Sequence, residues 1–182
     1  MTFRTVGTLL ALTVVLSGCT AGEGDPTVLP PAPSASSSAP AAPSPPPEAA
    51  AETAEGASAF ARYYLEVLGR ALQSADPSQV KALSDSGCGG CQNLIGAVED
   101  ARSKGQHVRE ADFQVLFAAA PPVQDGDVVV DLRYERLEGE LLDADGIVVS
   151  PIPPEKALDA QMRLMRMGKS WIVLGFRSVS GT

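Results

Sequence analysis

Val128-Val129-Val130-Asp131-Leu132-Arg133-Tyr134-Glu135 is the stretch that decides the fold class. Val128, Val130, Leu132 and Tyr134 recur at every second position, and Val129, Asp131, Arg133 and Glu135 fill the intervals. A period of two puts the first set on one face of a β-strand and the second on the other. One apolar and one polar face is the pattern of a half-buried antiparallel strand.

On either side the same period continues. Phe113, Val115 and Phe117 alternate with polar or small residues, which predicts a partner strand burying these three, joined to the first through Pro121-Pro122 and Asp125-Gly126. Leu137 to Leu142 and Ile147 to Val149 flank Asp143-Ala144-Asp145-Gly146, a hairpin turn. Ala157 to Met167 fits two periods: Leu158, Ala160, Met162 and Leu164 alternate as in a strand, and Leu158, Met162 and Met165 fit a helix. We read it as a strand. Gly168-Lys169-Ser170 makes a tight connection into Trp171-Ile172-Val173-Leu174-Gly175-Phe176, a strongly strand-forming run.

Ahead of Val108 the spacing is helical. Phe60, Tyr63, Tyr64, Val67, Leu68, Ala71 and Leu72 recur at three and four residues and form one stripe that covers a core. Asp76-Pro77 supplies a cap and a first-turn proline for a short helix to about Leu83. Leu94, Ile95, Val98 and Ala101 define a third helix, which starts at Gly87-Cys88-Gly89-Gly90-Cys91 and ends at Gly105, a C-terminal cap. Helices followed by a run of antiparallel strands make an α+β domain.

The 182 residues carry 14 Lys+Arg against 22 Asp+Glu, a formal charge of −8. No basic patch or stripe marks a nucleic-acid partner. Thr20 to about Glu55 is Pro, Ala, Ser and Glu, with Val28 and Leu29 its only large apolar residues. Such a segment buries too little to offset its ordering entropy and reads as a disordered linker. Its ~36 residues reach at most ~110 Å as polyproline and ~35 Å as a coil.

At the start, Arg4 precedes an apolar run from Val6 to Leu16, which is too short for the roughly 20 residues of a membrane-spanning helix and suits a secretory signal. Leu16-Ser17-Gly18-Cys19 closely resembles the lipobox cut by bacterial lipoprotein signal peptidase. That resemblance implies Cys19 as the first mature residue, carrying diacylglycerol and acyl chains that bind the membrane at ~0.8 kcal/mol per buried methylene. The expected division is residues 1–18 signal peptide, 19–55 lipidated cysteine and linker, and 56–182 a single domain. The expected place is the outer face of the cell membrane.

The order of elements resembles the cone-shaped NTF2-like (SnoaL-like) superfamily. An amphipathic helix comes first, then further helices, then a curved sheet ending in a Gly-x-x-Trp hairpin, here Gly168 to Ile172. That resemblance implies a concave sheet that can enclose a pocket, and Tyr63, Tyr64, Met162 and Trp171 are the candidates to line it, core packing being the alternative. A closer resemblance is to an uncharacterised family of actinobacterial lipoproteins, domain of unknown function 6318. It rests on Ala59-Phe60-Ala61-Arg62-Tyr63-Tyr64, Leu83-Ser84-Asp85 and Gly87-Cys88-Gly89-Gly90-Cys91-Gln92, and it supplies no activity.

Cys88 and Cys91 are the sharpest chemical candidates. Outside the cytoplasm the pair reads first as a structural disulfide pinning the helix start, worth roughly 2 kcal/mol for so short a loop. A thiol-disulfide exchanger is the alternative, because a helix N-terminus stabilises a thiolate. A metal site is the third reading, poorly served by two cysteines and the single His107, which reads as a surface or strand-edge residue. Glu135, Glu138, Glu140, Asp143 and Asp145 crowd one hairpin but lack the spacing of a calcium loop. No catalytic residue, metal or cofactor is assigned. The reading is a non-enzymatic envelope module that binds a protein or a small apolar ligand. The alternatives are an extracytoplasmic oxidoreductase using Cys88 and Cys91, or an NTF2-like pocket enzyme.

Overall fold

Thr53 ends an extended stretch and starts the first helix, its hydroxyl accepting the Gly56 N–H at 3.1 Å. This N-cap satisfies one of the donors a helix leaves free. The computed structural model describes residues 44–179. The chain clusters into two units divided after Ser38, and every described residue belongs to the second. Cys19, the signal segment and most of the linker therefore lie outside the described residues. Among those described, no helix is long and apolar enough to cross a membrane.

Helix α1, Ala54–Ser74, ends at Ala75 in the left-handed region, φ 52°. It buries the predicted stripe from Phe60 to Ala71, leaves Leu72 partly buried against the core, and also buries Ala57, Ala61 and Leu65. The stripe is wider than predicted because α1 is enclosed: the strands lie on one side, and α2 (Ser78–Ala82) and α3 (Gly89–Ser103) on another. Small residues let neighbours approach it. A Cβ on Gly69 would lie 2.5 Å from the Ala111 carbonyl oxygen.

Seven strands follow: β1 His107–Arg109, β2 Phe113–Ala119, β3 Asp127–Arg136, β4 Gly139–Leu142, β5 Val148–Ile152, β6 Glu155–Met167 and β7 Ser170–Ser178. They form two antiparallel sheets, a main one of order β2-β3-β6-β7 and a small one of order β1-β4-β5. The division has a simple cause. β3 pairs along its length with β6, so the β4–β5 hairpin is an excursion between paired strands and finds its partner in β1 instead. The α+β class stands, as do strand β6 and the turn at Asp143, whose Oδ1 accepts the N–H groups of Asp145 and Ile147.

Two expectations are corrected. Phe117 is 51 % exposed, because an extra residue at Leu116 bulges β2 between Val115 and Phe117 and turns the remainder of the strand over. The domain also begins before residue 56. Pro47–Ala50 forms a 3-10 turn with Ala49 buried, Arg166 Nη2 donates to the Ala50 carbonyl at 2.7 Å, and Trp171 Nε1 donates to the Ala51 carbonyl at 3.3 Å. Composition hid this strap, because it docks through backbone carbonyls and one alanine rather than through large apolar side chains.

The core unites Phe60, Tyr64 and Leu68 of α1 with Val130 and Leu132 of β3, Met162 and Leu164 of β6, and Trp171 and Val173 of β7. Each large side chain so buried contributes about 1.5–3 kcal/mol.

Candidate functional site

The four residues proposed as a pocket lining are brought together, but as core. Tyr63 is 3 % exposed, and Tyr64, Met162 and Trp171 are fully buried. Their polar atoms are engaged. Gln79 Nε2 donates to the Tyr63 hydroxyl at 2.7 Å. Ser84 Oγ gives its proton to the Val80 carbonyl at 2.7 Å, so at 2.9 Å it accepts from the Tyr64 hydroxyl. Burial pushes both tyrosine pKa values up, against the smaller opposing pull of these hydrogen bonds. The clefts beside α1, the small sheet and the outer face of the main sheet are lined by other residues.

Cys88 and Cys91 form a disulfide across the first turn of α3. Cys88 is the N-cap residue, and its Sγ accepts the Cys91 N–H at 3.2 Å. The segment before it is fastened to β7: Val173 N–H donates to the Leu83 carbonyl at 2.9 Å, and Asp85 N–H to the Val173 carbonyl at 2.9 Å. Asp85 then holds the turn, accepting from Gly87 N–H at 2.8 Å. Gly90 is obligatory, since a Cβ there would lie 1.8 Å from the Phe176 carbonyl oxygen. The cysteines are 1 % and 0 % exposed. Thiol-disulfide exchange requires in-line approach of a thiolate to sulfur, and this turn would have to open first.

His107 sits half-buried on β1 opposite Leu142. Of the hairpin carboxylates, Glu140 pairs with Arg109, and Asp143 is spent on its turn. Among the described residues, no three of His, Cys, Asp and Glu gather as a metal set.

The feature that sequence reasoning missed is the outer face of the main sheet, turned away from the helices. Arg133 donates to both oxygens of Asp159 at 2.7 and 3.0 Å, across the β3–β6 register. Arg163 holds Asp127 by both oxygens, with Nε 3.1 Å from each. Between these pairs, Gln161 Nε2 donates to Asp131 at 2.8 Å, while its Oε1 accepts from Arg177 Nε at 3.1 Å. Hydrogen bonding from the paired arginine holds the Asp127 and Asp159 carboxyls below their ordinary range. Two shallow clefts share Gln161. One, of about 460 Å³, runs between Phe117 and Val179. The other, of about 430 Å³, lies between Val129, Arg163 and Arg177 and reaches Gly89 and Gly90 at the start of α3. The only sequence signal was the polar set of β3, which alternation marks as outward but cannot pair with its opposite numbers on β6.

Residues 33–177 match the description "Family of unknown function (DUF6318)". The chain belongs to this family. No curated protein matches the sequence of this DUF6318 member. Solved structures do match its fold. The intermembrane-space region of chloroplast protein ARC6 aligns with a TM-score of 0.52 at 9 % identity, covering 70 % of this chain and 97 % of that one. A chain designated Rd1NTF2_05 aligns at 0.38 and 10 % identity, covering 66 % and 96 %. A putative calcium/calmodulin dependent protein kinase II association domain from Xanthomonas campestris aligns at 0.42 and 14 %, covering 70 % and 86 %. The DUF6318 chain thus has an α+β fold, and at 9 % identity the ARC6 alignment carries the fold alone.

Proposed function

We propose that this DUF6318 protein is a bacterial cell-surface lipoprotein, held by acyl chains on Cys19, whose domain is a non-enzymatic binding or accessory module. One observation carries the reading: Tyr63, Tyr64, Met162 and Trp171, where an NTF2-like cone would open a pocket, form a closed core. A filled interior leaves recognition to the outside of the molecule. The buried Cys88–Cys91 pair supports a structural role over an exchange activity. The acidic linker is repelled by anionic lipid, so the anchor is the acyl group rather than charge.

The test is the mass of the mature chain isolated from cells. A lipid-sized increment on Cys19, with the protein pelleting with membranes, is the expected result. A soluble chain with unmodified Cys19 overturns the anchored reading. Measurable insulin reduction by the full chain, lost in Cys88→Ser with Cys91→Ser while folding persists, overturns the non-enzymatic one. Crosslinking from the anchored protein in its own membrane then identifies what it binds.

A further inference from the structure

We propose that the outer strand of the β4–β5 hairpin docks an extended segment of another protein, one that carries Lys or Arg among apolar side chains. β5 is an edge strand of the small sheet. Ile147, Val148 and Val149 are 63 %, 45 % and 50 % exposed, and no other three consecutive large apolar residues are so exposed among the described residues. Pro151, Pro153 and Pro154 continue the exposed strip, which is uncharged from Ile147 to Pro154. Its residues, at about 3.3 Å each, make it ~26 Å long and one strand wide. A continuous apolar strip with a polar surround marks an interaction surface, as isolated exposed side chains do not.

The surround is acidic. The small sheet and its joins to β3 and β6 hold seven carboxylates, one within 107–110 and six within 135–156, against three cations, one and two. Arg109 is paired with Glu140 and Arg136 with Glu155, which leaves Lys156. Glu110, Glu138 and Asp145 enter no ion pair among the described residues. Glu110 and Glu138 line a cleft of about 540 Å³ at the root of the hairpin, together with Pro151, Pro153 and Pro154. There the stem of a lysine or arginine packs on proline rings while its charge meets the carboxylates. The same charge repels anionic lipid and a second copy of this hairpin. Pro151 lacks the N–H that would continue the ladder, which blunts the edge against strand addition, so recognition falls to side chains. Acidity and exposed apolar area together select a cationic, apolar segment as the occupant.

The strip is held ready. Asp143 closes the turn by accepting from Asp145 and Ile147. Arg136 Nη2 donates to the Pro153 carbonyl at 3.2 Å, which fixes the return of the hairpin. A surface so fastened loses little freedom on binding. Its place matters too. The strap joins the domain beside Gly126, whose carbonyl accepts the Arg166 N–H at 2.7 Å, and the hairpin leaves from the other end of β3, beyond Arg136. The length of β3 puts about 30 Å between them. The inference deepens the binding role proposed above and rests on it: the tether enters at one end of the main sheet and recognition occurs at the other.

The test uses the full chain mixed with phosphatidylcholine nanodiscs, and its probe is a labelled peptide of about eight residues alternating Lys and Val. This peptide is expected to bind at least about tenfold more tightly than Glu-Val and Lys-Ser peptides of the same length. Hydrogen exchange is expected to slow over residues 147–154. Glu138→Lys with Asp145→Lys is expected to weaken the Lys-Val peptide about tenfold and to strengthen the Glu-Val one, and Ile147→Ser with Val149→Ser to weaken the Lys-Val peptide by a similar factor. All four positions are exposed, so the fold is expected to survive, as a cooperative melt will verify. No binding up to about 1 mM, equal binding of the Lys-Ser peptide, indifference to either double substitution, or protection confined to other residues overturns the proposal. Protection of 147–154 by phosphatidylglycerol vesicles alone, or by raising the concentration of the chain alone, assigns the strip to lipid or to a second copy and overturns it too. None of these measurements depends on lipid at Cys19: their failure leaves the anchored reading standing, and an unmodified Cys19 leaves the strip standing.

Discussion

The indole N–H of Trp171 donates to the carbonyl of Ala51, 3.3 Å away and 120 residues earlier in the chain. Beside it Arg166 lies over the Trp171 ring, 5.4 Å from its centroid, and donates to the Ala50 carbonyl. A stretch with the composition of a linker thus closes one end of the core.

Shortening the chain therefore has a threshold. A protein lacking residues up to 51 loses the burial of Ala49 and both carbonyl acceptors, and is expected to be roughly 2–3 kcal/mol less stable in urea. Trp171→Phe keeps most of the packing and loses the hydrogen bond, at about 1 kcal/mol. Equal stability of the shortened and intact chains contradicts the strap.

The two glycines inside the disulfide loop respond in opposite senses. Gly90→Ala drives a Cβ into the Phe176 carbonyl, which is backbone and cannot swing aside, so a loss of roughly 3 kcal/mol is expected. At Gly89 a Cβ meets nothing within 4 Å, and Gly89→Ala is expected to gain about 0.5 kcal/mol or more from helix propensity. Denaturation midpoints of the two variants decide this.

Reducing Cys88–Cys91 removes a small closed loop, at an expected cost of about 2 kcal/mol on the chain-entropy account. The core does not depend on it, so the reduced protein is expected to remain folded with a lower midpoint. Collapse of the near-ultraviolet signal on reduction alone shows the bond to be indispensable.

Tyr64 and Tyr134 make stability fall at alkaline pH. Burial raises both folded-state pKa values above the ordinary value of 10.0; at Tyr134, Glu155 adds to the effect and Arg136 opposes it. A raised folded pKa means that the contribution is complete below pH about 10 and is lost as pH rises through the folded value. Melting temperature is therefore expected to drop above pH ~10, less steeply in Tyr64→Phe. That variant leaves Ser84 its bond to Val80. Parallel curves for wild type and variant count against this assignment.

The helical stripe from Phe60 to Leu72 and the alternation of Val128 to Tyr134 were legible because each is periodic within one element, and period alone tells which face is buried. The same rule failed at Phe117, where one inserted residue changes the face without changing the composition. For Tyr63, Tyr64, Met162 and Trp171 the sequence left a pocket lining and plain core packing both open, and the structure buries all four in one core cluster. Apolar pattern specifies that side chains converge, and only packing specifies whether space remains between them.

By itself the sequence determined the α+β order, the turns and the start of the third helix at Cys88, since spacing, capping and turn chemistry act over a few residues. Only the tertiary structure decided that Pro47–Ala51 packs against the domain, that Tyr64, Met162 and Trp171 are buried in the core, and that Arg133 meets Asp159 and Arg163 meets Asp127 on the outer face of the main sheet. Those contacts join residues tens of positions apart, and strand register, a property of two chain segments at once, is what sets them.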